Sequence, residues 1–450
     1  MSDSCGCCCG DAKAAEGAEA AARAEAGKAP LSDVVERFLR YVQVNSQGVP
    51  SNAAQVPSSQ CQFNMTKLLA KELEELGAQD VKTTEHAYVT AQVPASKGCE
   101  DLPALAFNAH IDSQADVPGN GVKPHIVDYQ GGKLVMGVVD GKEVYTDPSV
   151  NPELNDMKGR QIIVTDGTTL LSADDKAGIA EIMALIARIK ADPSIPHPRL
   201  AISFVPDEEI GHGAKFLDLA DYDAAFGYTL DGGPIGVMNY ETFNACYVDV
   251  DFKGFSVHTG TAKGRMINAV DIACGYNQLM PQQSKPQFTD GYDGFIHLCE
   301  LSGGCEHAHA QYIIRDHDRA KFEAYKELMR HAADYLNEMY GAHVDGSPII
   351  TVKIEDTYFN MAEIINQHRH LIDNARAAFA EHGYTMWTEP MRGGTDGAQL
   401  CFRGLPMANL SCGYHNAHGV KEFVGVYELE DMVDVLQTLV GIYAKHPAQE

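Results

Sequence analysis

The segment LLSADDKAGI, residues 170–179, places two adjacent aspartates and a lysine at the start of a predicted helix. Beyond the segment, apolar residues recur at helical spacing, at Ile182, Met183, Ile186 and Ile189. If the helix only filled a core, Asp174 and Asp175 would repel each other there. Next to further His, Asp and Glu side chains from other segments, they could instead hold divalent metal ions. The rest of the sequence decides between these interpretations.

Three strongly apolar segments run into acidic or imidazole side chains and are predicted to be buried strands. They are LAFNAH (105–110), followed by Asp112; RLAISFV (199–205), followed by Asp207, Glu208 and Glu209; and AFGYTL (225–230), followed by Asp231. Helical patterns lie between these strands. The alternation predicts an α/β fold with a mixed, mainly parallel sheet flanked by helices, and a functional site at the strand ends.

The pattern changes near residue 243. Apolar and polar residues alternate along 246–253 and again along 350–354, which is typical of half-exposed antiparallel strands. Two helical patterns lie between them. We therefore expect residues 243–356 to form an inserted α+β two-layer domain, with residues 31–242 and 357–450 making up the α/β domain.

The composition indicates a globular protein with a substantial core, because 45% of residues are apolar and only 22% are charged. A chain of 450 residues is longer than one hydrophobic core usually serves. The net charge of −27 repels phosphate backbones and anionic lipids. Nucleic acids and membranes are therefore not expected as partners.

The cysteines indicate a reducing environment. Of the twelve, four crowd residues 5–9 and the others are scattered through the chain, unlike a disulfide framework. Residues 1–30 form a Cys/Ala-rich tail with almost no large apolar residues, which predicts disorder. The sequence contains neither a signal-peptide pattern nor an apolar run of membrane-spanning length. We expect a cytoplasmic protein.

Two histidines and several carboxylates fall at the ends of predicted elements. Imidazole and carboxylate together suit zinc, manganese or cobalt, and one carboxylate can bridge two ions. Each of these residues alone is more often a helix cap or a surface group, but their number in one α/β region favours a metal site. They are His110, Asp112, Asp174 or Asp175, Asp207 to Glu209, Asp231 and His418.

The sequence resembles the peptidase T (tripeptide aminopeptidase) family. This family belongs to the zinc-dependent metallopeptidases that also include carboxypeptidase G and the deacylases of acetylornithine and succinyl-diaminopimelate. The matching motifs occur in the family's order from about residue 31 to the C-terminus. They are NAHIDS, GVKPHIVDYQGG, TDGTTLLSADDKAGIAEIM, FVPDEEIGHGA, YTLDGG, HTGTAKGRMINA, YIIRDHD, MRGGTDGAQL and NAHGVKEF.

The resemblance implies a two-metal aminopeptidase that removes the N-terminal residue from short peptides, above all tripeptides. It also implies two divalent ions per chain, expected to be Zn²⁺, and a homodimer in which the inserted domain serves as lid and dimerisation domain. The implied metal ligands are His110 and Asp231 for one ion, Glu209 and His418 for the other, and Asp174 as a bridge. The family's bridging aspartate stands two positions before a lysine, here Lys176, and precedes a cis peptide.

Further roles are implied by the same motifs. Asp112 would orient the His110 imidazole, and Glu208 would act as general base and acid. His258 would help to stabilise the oxyanion, usually at the partner subunit's site. Arg315 would bind the terminal carboxylate of the peptide through two parallel hydrogen bonds.

Adjacent residues on an extended strand point to opposite sides, so Glu208 and Glu209 need a turn at the strand end. Residues 392–396, RGGTD, lack the spacing of a phosphate loop and are expected to line the pocket with close backbone. His415 could replace His418 as a ligand, although His418 before a glycine fits the family better.

Two alternative functions remain open from the sequence. One is another amide hydrolase on the same scaffold. It would be either a dipeptidase, which needs no third residue in its substrate, or an N-acyl amino acid deacylase, which needs no free amine. The other is a non-catalytic metal-binding dimer. The complete set of candidate ligands together with Glu208 counts against the second alternative.

Overall fold

The computed structural model describes residues 30–340 and 347–445. The predicted tail, residues 1–30, lies outside the described residues except for Pro30. The helices are α1 (Asp33–Tyr41), α2 (Gln62–Leu76), α3 (Ala173–Ala191), α4 (Leu219–Tyr222), α5 (Ala269–Leu279), α6 (Arg319–Tyr340), α7 (Ala362–Ile365), α8 (His370–Glu381), α9 (Asp396–Phe402) and α10 (Val426–Lys445).

The strands alternate with these helices in the first part of the chain and then cluster. They are β1 (Gln79–Thr83), β2 (Val89–Val93), β3 (Leu105–His110), β4 (His125–Asp128), β5 (Leu134–Val139), β6 (Lys142–Thr146), β7 (Gln161–Val164), β8 (Leu200–Val205), β9 (Phe226–Gly232), β10 (Val237–Asn239), β11 (Asn244–Lys253), β12 (Phe295–Gly303), β13 (His307–Asp316), β14 (Ile350–Tyr358), β15 (Trp387–Thr388), β16 (Met407–Ser411), β17 (Tyr414–His415) and β18 (Phe423–Gly425).

The largest sheet has the order β1-β2-β8-β3-β9-β16-β10-β15. Its central strands β8, β3, β9 and β16 run parallel to one another, whereas β1, β2 and β10 pair antiparallel towards the edges. Alternate residues of β3 contribute to cores on opposite faces of the sheet. Leu105 and Phe107 belong to the core that includes α1, α3, α8 and α10. Ala106 belongs to the core that includes α4 and α9. The predicted mixed sheet flanked by helices is confirmed.

Helix α3 lies at the centre of the larger core, and every side chain from Ala173 to Ile186 is buried. Gly178 allows this helix to approach the sheet closely. A Cβ atom at Gly178 would lie 2.1 Å from the carbonyl oxygen of Leu230 and 2.5 Å from Asp175 Oδ1. The helix therefore fixes the position of the aspartates at its start relative to β9.

A second, four-stranded antiparallel sheet has the order β12-β13-β11-β14 and carries α5 and α6 on one face. Along β11, Val248 and Val250 face these helices, whereas Asp249 and Asp251 are half-exposed on the other face. This confirms the predicted period-two pattern and the inserted two-layer α+β architecture.

A smaller sheet of β17, β18, β7 and β4 supports the segment that leads to His418. Strand β18 pairs antiparallel with both β7 and β17. Within residues 30–340 and 347–445, none of the helices has the length and apolarity needed to cross a bilayer.

Candidate metal centre

The candidate site begins where three neighbouring parallel strands end. Strands β8, β3 and β9 lie side by side, so their carboxyl ends meet at one edge of the sheet. His110 is the last residue of β3, Asp231 lies near the end of β9, and β8 runs into a single helical turn at Glu208–Ile210. Segments far apart in the sequence thus converge on one place.

Asp174 lies between two imidazoles. Its Oδ1 atom is 2.9 Å from His110 Nε2, and its Oδ2 atom is 3.2 Å from His418 Nε2. His110 Nε2 is also 3.6 Å from Asp231 Oδ1, and His418 Nε2 is 3.2 Å from Glu209 Oε2. Each oxygen of the Asp174 carboxylate therefore faces a different pair of imidazole and carboxylate, which suits a ligand shared by two ions.

The neighbouring carboxylate, Asp175, also lies close to His110 and Asp231, and the three offer donor atoms within 4.8 Å of one another. However, Asp175 Oδ2 accepts a hydrogen bond from the His110 backbone N–H at 2.9 Å, and Oδ1 accepts from Cys412 Sγ at 3.6 Å. Because Asp175 is already engaged within the core, the geometry favours Asp174 as the group that faces the cavity.

The backbone before Asp174 is held by a residue that sequence reasoning missed. The buried carboxylate of Glu422 accepts hydrogen bonds from the N–H groups of Leu171, Ser172 and Asp174, at 2.9, 2.8 and 2.9 Å. Ser172 has a left-handed backbone with φ of 62°, and the cis peptide implied by the resemblance is present between Asp174 and Asp175. Burial raises the pKa of Glu422 to about 8. In the sequence, Glu422 stands within the motif NAHGVKEF, directly before an apolar strand, but the motif does not give its role.

Asp112 supports both His110 and the turn after β8. Its Oδ1 and Oδ2 atoms accept the backbone N–H groups of Glu208 and Glu209, at 3.0 and 3.2 Å, and Oδ1 is 3.4 Å from His110 Nδ1. Asp207, with φ of 56°, starts this turn. The predicted turn is confirmed, and it directs the two glutamates to different parts of the site.

The electrostatics of the site are those of a cluster of buried acids. Burial raises the pKa of Glu209 to about 7 and that of Asp231 to about 6, and it raises the pKa of Glu208 well above its usual range. Burial would also raise the pKa of Asp174, but hydrogen bonds from His110 and His418 hold it well below its usual value. Burial and repulsion between the acids therefore disfavour the ionised forms of Glu208, Glu209 and Asp231 where these side chains meet.

The donor set fits a pair of divalent cations. Two imidazoles and three carboxylates are ligands that zinc and similar ions accept. Over the described ranges, the buried Oε1 atom of Glu209 has no hydrogen-bond partner, although buried polar atoms usually have one. A bound cation would satisfy this oxygen and offset the repulsion between the acids.

A cavity of about 940 Å³ opens beside these residues, between the large sheet and the sheet of β11, β13 and β14. Arg315 and the backbone of Gly393 and Gly394 line it, as expected for both segments. His258 does not line it in the chain that the structure describes. This residue lies on an exposed loop, where its Nδ1 atom accepts a hydrogen bond from Gly260 N–H at 3.1 Å.

Two further side chains are clarified by the structure. His415 lies outside the cavity, with Nε2 3.1 Å from Glu428 Oε1 and Nδ1 3.4 Å from Glu153 Oε1, so it does not replace His418. Asp396, which sequence reasoning did not single out, is buried against Gly213, and burial raises its pKa to about 7. Its charge also contributes to the raised pKa of Glu208.

The chain is similar to known proteins in sequence and in fold. The sequence profile of peptidase family M20/M25/M40 matches residues 172–441. The protein named peptidase T from Alkaliphilus oremlandii is 40% identical over 417 residues, which cover 92% of this chain and 100% of the relative. The crystal structure of aminopeptidase PepT from Bacillus cereus has a TM-score of 0.69 and 25% identity, covering 91% of this chain and 97% of that one. A dinuclear metal-binding M20 peptidase from Bacillus subtilis shares the fold, with a TM-score of 0.62, 15% identity and coverage of 92% and 97%.

Proposed function

The chain belongs to the peptidase M20/M25/M40 family and, within it, to the peptidase T group, and we propose that it removes the N-terminal residue from short peptides, above all tripeptides. The observation that carries this proposal is the position of Asp174 between two pairs of imidazole and carboxylate, beside Glu208 and a cavity that contains Arg315. This arrangement suits hydrolysis of an amide bond in a small peptide.

The proposed cofactors are two divalent ions. Zinc is the ion that best matches the donor set. His110 and Asp231 would hold one ion, Glu209 and His418 the other, and Asp174 both. When bound, such ions supply Lewis acidity that polarises a carbonyl group and lowers the pKa of water.

Glu208 is the proposed general base and acid. Its raised pKa reflects burial among other acids, so this carboxylate is a strong proton acceptor once ionised. It would take a proton from the attacking water molecule and pass it to the leaving amine. Asp112 would keep Glu208 in place through the backbone of the turn, and would hold the His110 imidazole in orientation.

Further proposals concern the organisation of the protein. Residues 243–356 would form an inserted lid and dimerisation domain, and residues 31–242 and 357–450 the catalytic domain. In a homodimer the exposed His258 would reach the site of the partner subunit and stabilise the oxyanion. We also propose a cytoplasmic location, in keeping with the scattered cysteines.

The proposal is tested by following residue release from unmodified di-, tri- and tetrapeptides and from an N-acetylated tripeptide, with and without a chelator. We expect the tripeptide to be cleaved fastest, the acetylated form to resist cleavage, and the chelator to abolish activity. Release of acetate from the acetylated tripeptide, in place of residue release from the unmodified one, would identify a deacylase, and preferred cleavage of the dipeptide would identify a dipeptidase. No cleavage by the metal-loaded protein would leave a non-catalytic metal-binding protein.

A further inference from the structure

Three residues form a row across the second sheet, on the face that borders the cavity. Ala245 of β11 pairs with Arg315 of β13 on one side and with Tyr358 of β14 on the other. Residues directly opposite each other in antiparallel strands point to the same face. All three line the cavity. Because the middle residue is only an alanine, the row forms a groove with a long polar side chain at each wall.

A β-bulge is what directs Tyr358 into this groove. Alternate residues of β14 face the helices, as Asp356 does when it accepts a hydrogen bond from Lys326 Nζ of α6 at 2.9 Å. Regular pairing would place Tyr358 on that same face. The register shifts between Ala245 and Cys246, so Thr357 is the extra residue and the next side chain turns towards the cavity. Bulges often re-aim side chains beside functional sites.

The hydroxyl group of Tyr358 lacks a partner within the protein. It is buried, and among the described residues nothing accepts or donates a hydrogen bond to it. Buried hydroxyl groups are normally paired, so an unpaired one on a residue that lines a cavity calls for a partner that arrives with a ligand. Burial raises the pKa of Tyr358, although the charge of Arg315 acts in the opposite direction, so the phenol keeps its proton at neutral pH.

The facing side chain, Arg315, has hydrogen-bond donors that remain available for a ligand. In the chain as described, its guanidinium makes one hydrogen bond, from Nη1 to the Arg392 carbonyl oxygen at 3.1 Å. The neighbouring Arg392 is instead engaged with the carbonyl groups of Gly291 and Asp293 and with Thr289. Arg315 is therefore the cation that can reach a ligand over Ala245.

We propose that Tyr358 is a substrate-positioning residue, whose hydroxyl group donates a hydrogen bond to the terminal carboxylate of a short peptide while Arg315 binds the same carboxylate from the opposite wall. This inference rests on the proposed function and deepens it. A carboxylate is the group that accepts hydrogen bonds from a guanidinium and a phenol at once. The groove would thus select peptides whose free C-terminus lies within reach of the metal centre.

The test compares Tyr358→Phe with the wild-type enzyme, both loaded with metal, on a tripeptide and on the same tripeptide with a C-terminal amide. We expect KM for the free acid to rise about tenfold and kcat to stay within about twofold, because one hydrogen bond to a charged group is lost. For the C-terminal amide, KM should rise much less. Tyr335→Phe, which removes an exposed hydroxyl group from α6, should leave both substrates unchanged.

Thermal unfolding gives a second measurement. Since no group of the described chain pairs with the hydroxyl, Tyr358→Phe should unfold at the wild-type temperature or above it. A variant that keeps the wild-type KM for the free acid would overturn the assignment of Tyr358, and so would an equal rise in KM for the amide. Either result would leave the proposed function intact. A wild-type enzyme that cleaves neither peptide would overturn both.

Discussion

Asp174 faces two imidazoles with its two carboxylate oxygens, and its position depends on acids that face the backbone instead of the cavity. Glu422 accepts hydrogen bonds from backbone N–H groups of Leu171 and Asp174, and Asp112 accepts them from those of Glu208 and Glu209. Such supporting groups usually matter for metal affinity almost as much as the ligands. The precision of the site therefore comes from hydrogen bonds to the main chain.

Glu208→Gln is the substitution that tests the proposed base. It keeps the size of the side chain but removes the proton acceptor, so we expect kcat to fall by about 10³-fold. Metal content, measured by plasma mass spectrometry, should equal that of the wild type, because Glu208 is not a proposed ligand. Glu338→Gln, on an exposed position of α6, is the matched control. A Glu208→Gln enzyme with wild-type kcat would exclude this residue as the base.

The sequence predicts the residues of the site unevenly. His110, Asp174, Glu209, Asp231 and His418 belong to motifs at the ends of elements, and the structure brings them together. Glu422 could not be predicted, because it acts on backbone groups about 250 positions away. Tyr358 was also missed, since period-two alternation along β14 places it on the wrong face until the bulge is known.

Among the elements, α3 has a strict steric requirement at Gly178. Gly178→Ala would place a methyl group against the backbone of Leu230, which can move only if the helix or β9 moves. We expect the free energy of unfolding to fall by about 2 kcal/mol, the usual cost of overpacking a core. Gly441→Ala in α10, where nothing lies within 4 Å of the added carbon, should instead stabilise by about 0.5–1 kcal/mol. Urea unfolding measures both, and equal effects would contradict the packing of α3.

The contact of His415 with Glu153 and Glu428 predicts a dependence of stability on pH. Burial opposes the charged imidazole, but the two glutamates raise the pKa of His415 to about 9. Since this value is above that of an unfolded histidine, the contribution to stability is complete below about pH 6.5 and disappears as pH rises through 9. The hydrogen bond with His415 lowers the pKa of Glu153 to about 2, so its contribution is complete above about pH 4.5 and is lost as pH falls towards 2.

We therefore expect Glu153→Gln to lower the free energy of unfolding at pH 6 by roughly 1 kcal/mol, a figure reduced for the partial exposure of Glu153. At pH 9.5 the loss should be much smaller. Glu143→Gln, which breaks an exposed ion pair with Lys133, should leave the free energy of unfolding nearly unchanged at both pH values. A loss from Glu153→Gln that does not vary with pH would contradict the charged state of His415.

For the whole molecule, the strands and helices around the large sheet could be predicted because their apolar periods are regular. The second sheet could be predicted from the alternation along 246–253 and 350–354. The family motifs predict that Arg315 and residues 393–394 line the cavity, but the presence of Tyr358 could not be predicted, because it depends on the β-bulge of β14. The proposed function depends on one cavity that is shared by the proposed metal centre and the proposed carboxylate-binding groove.

The most direct test of this account is the metal content of the purified protein and of Asp174→Ala, measured by plasma mass spectrometry after equilibration with zinc. We expect about two ions per wild-type chain and less than about one in the variant, because both ions lose a shared ligand. Folding of the variant is checked by circular dichroism. An Asp174→Ala protein that retains two tightly bound ions would contradict the binuclear centre proposed here.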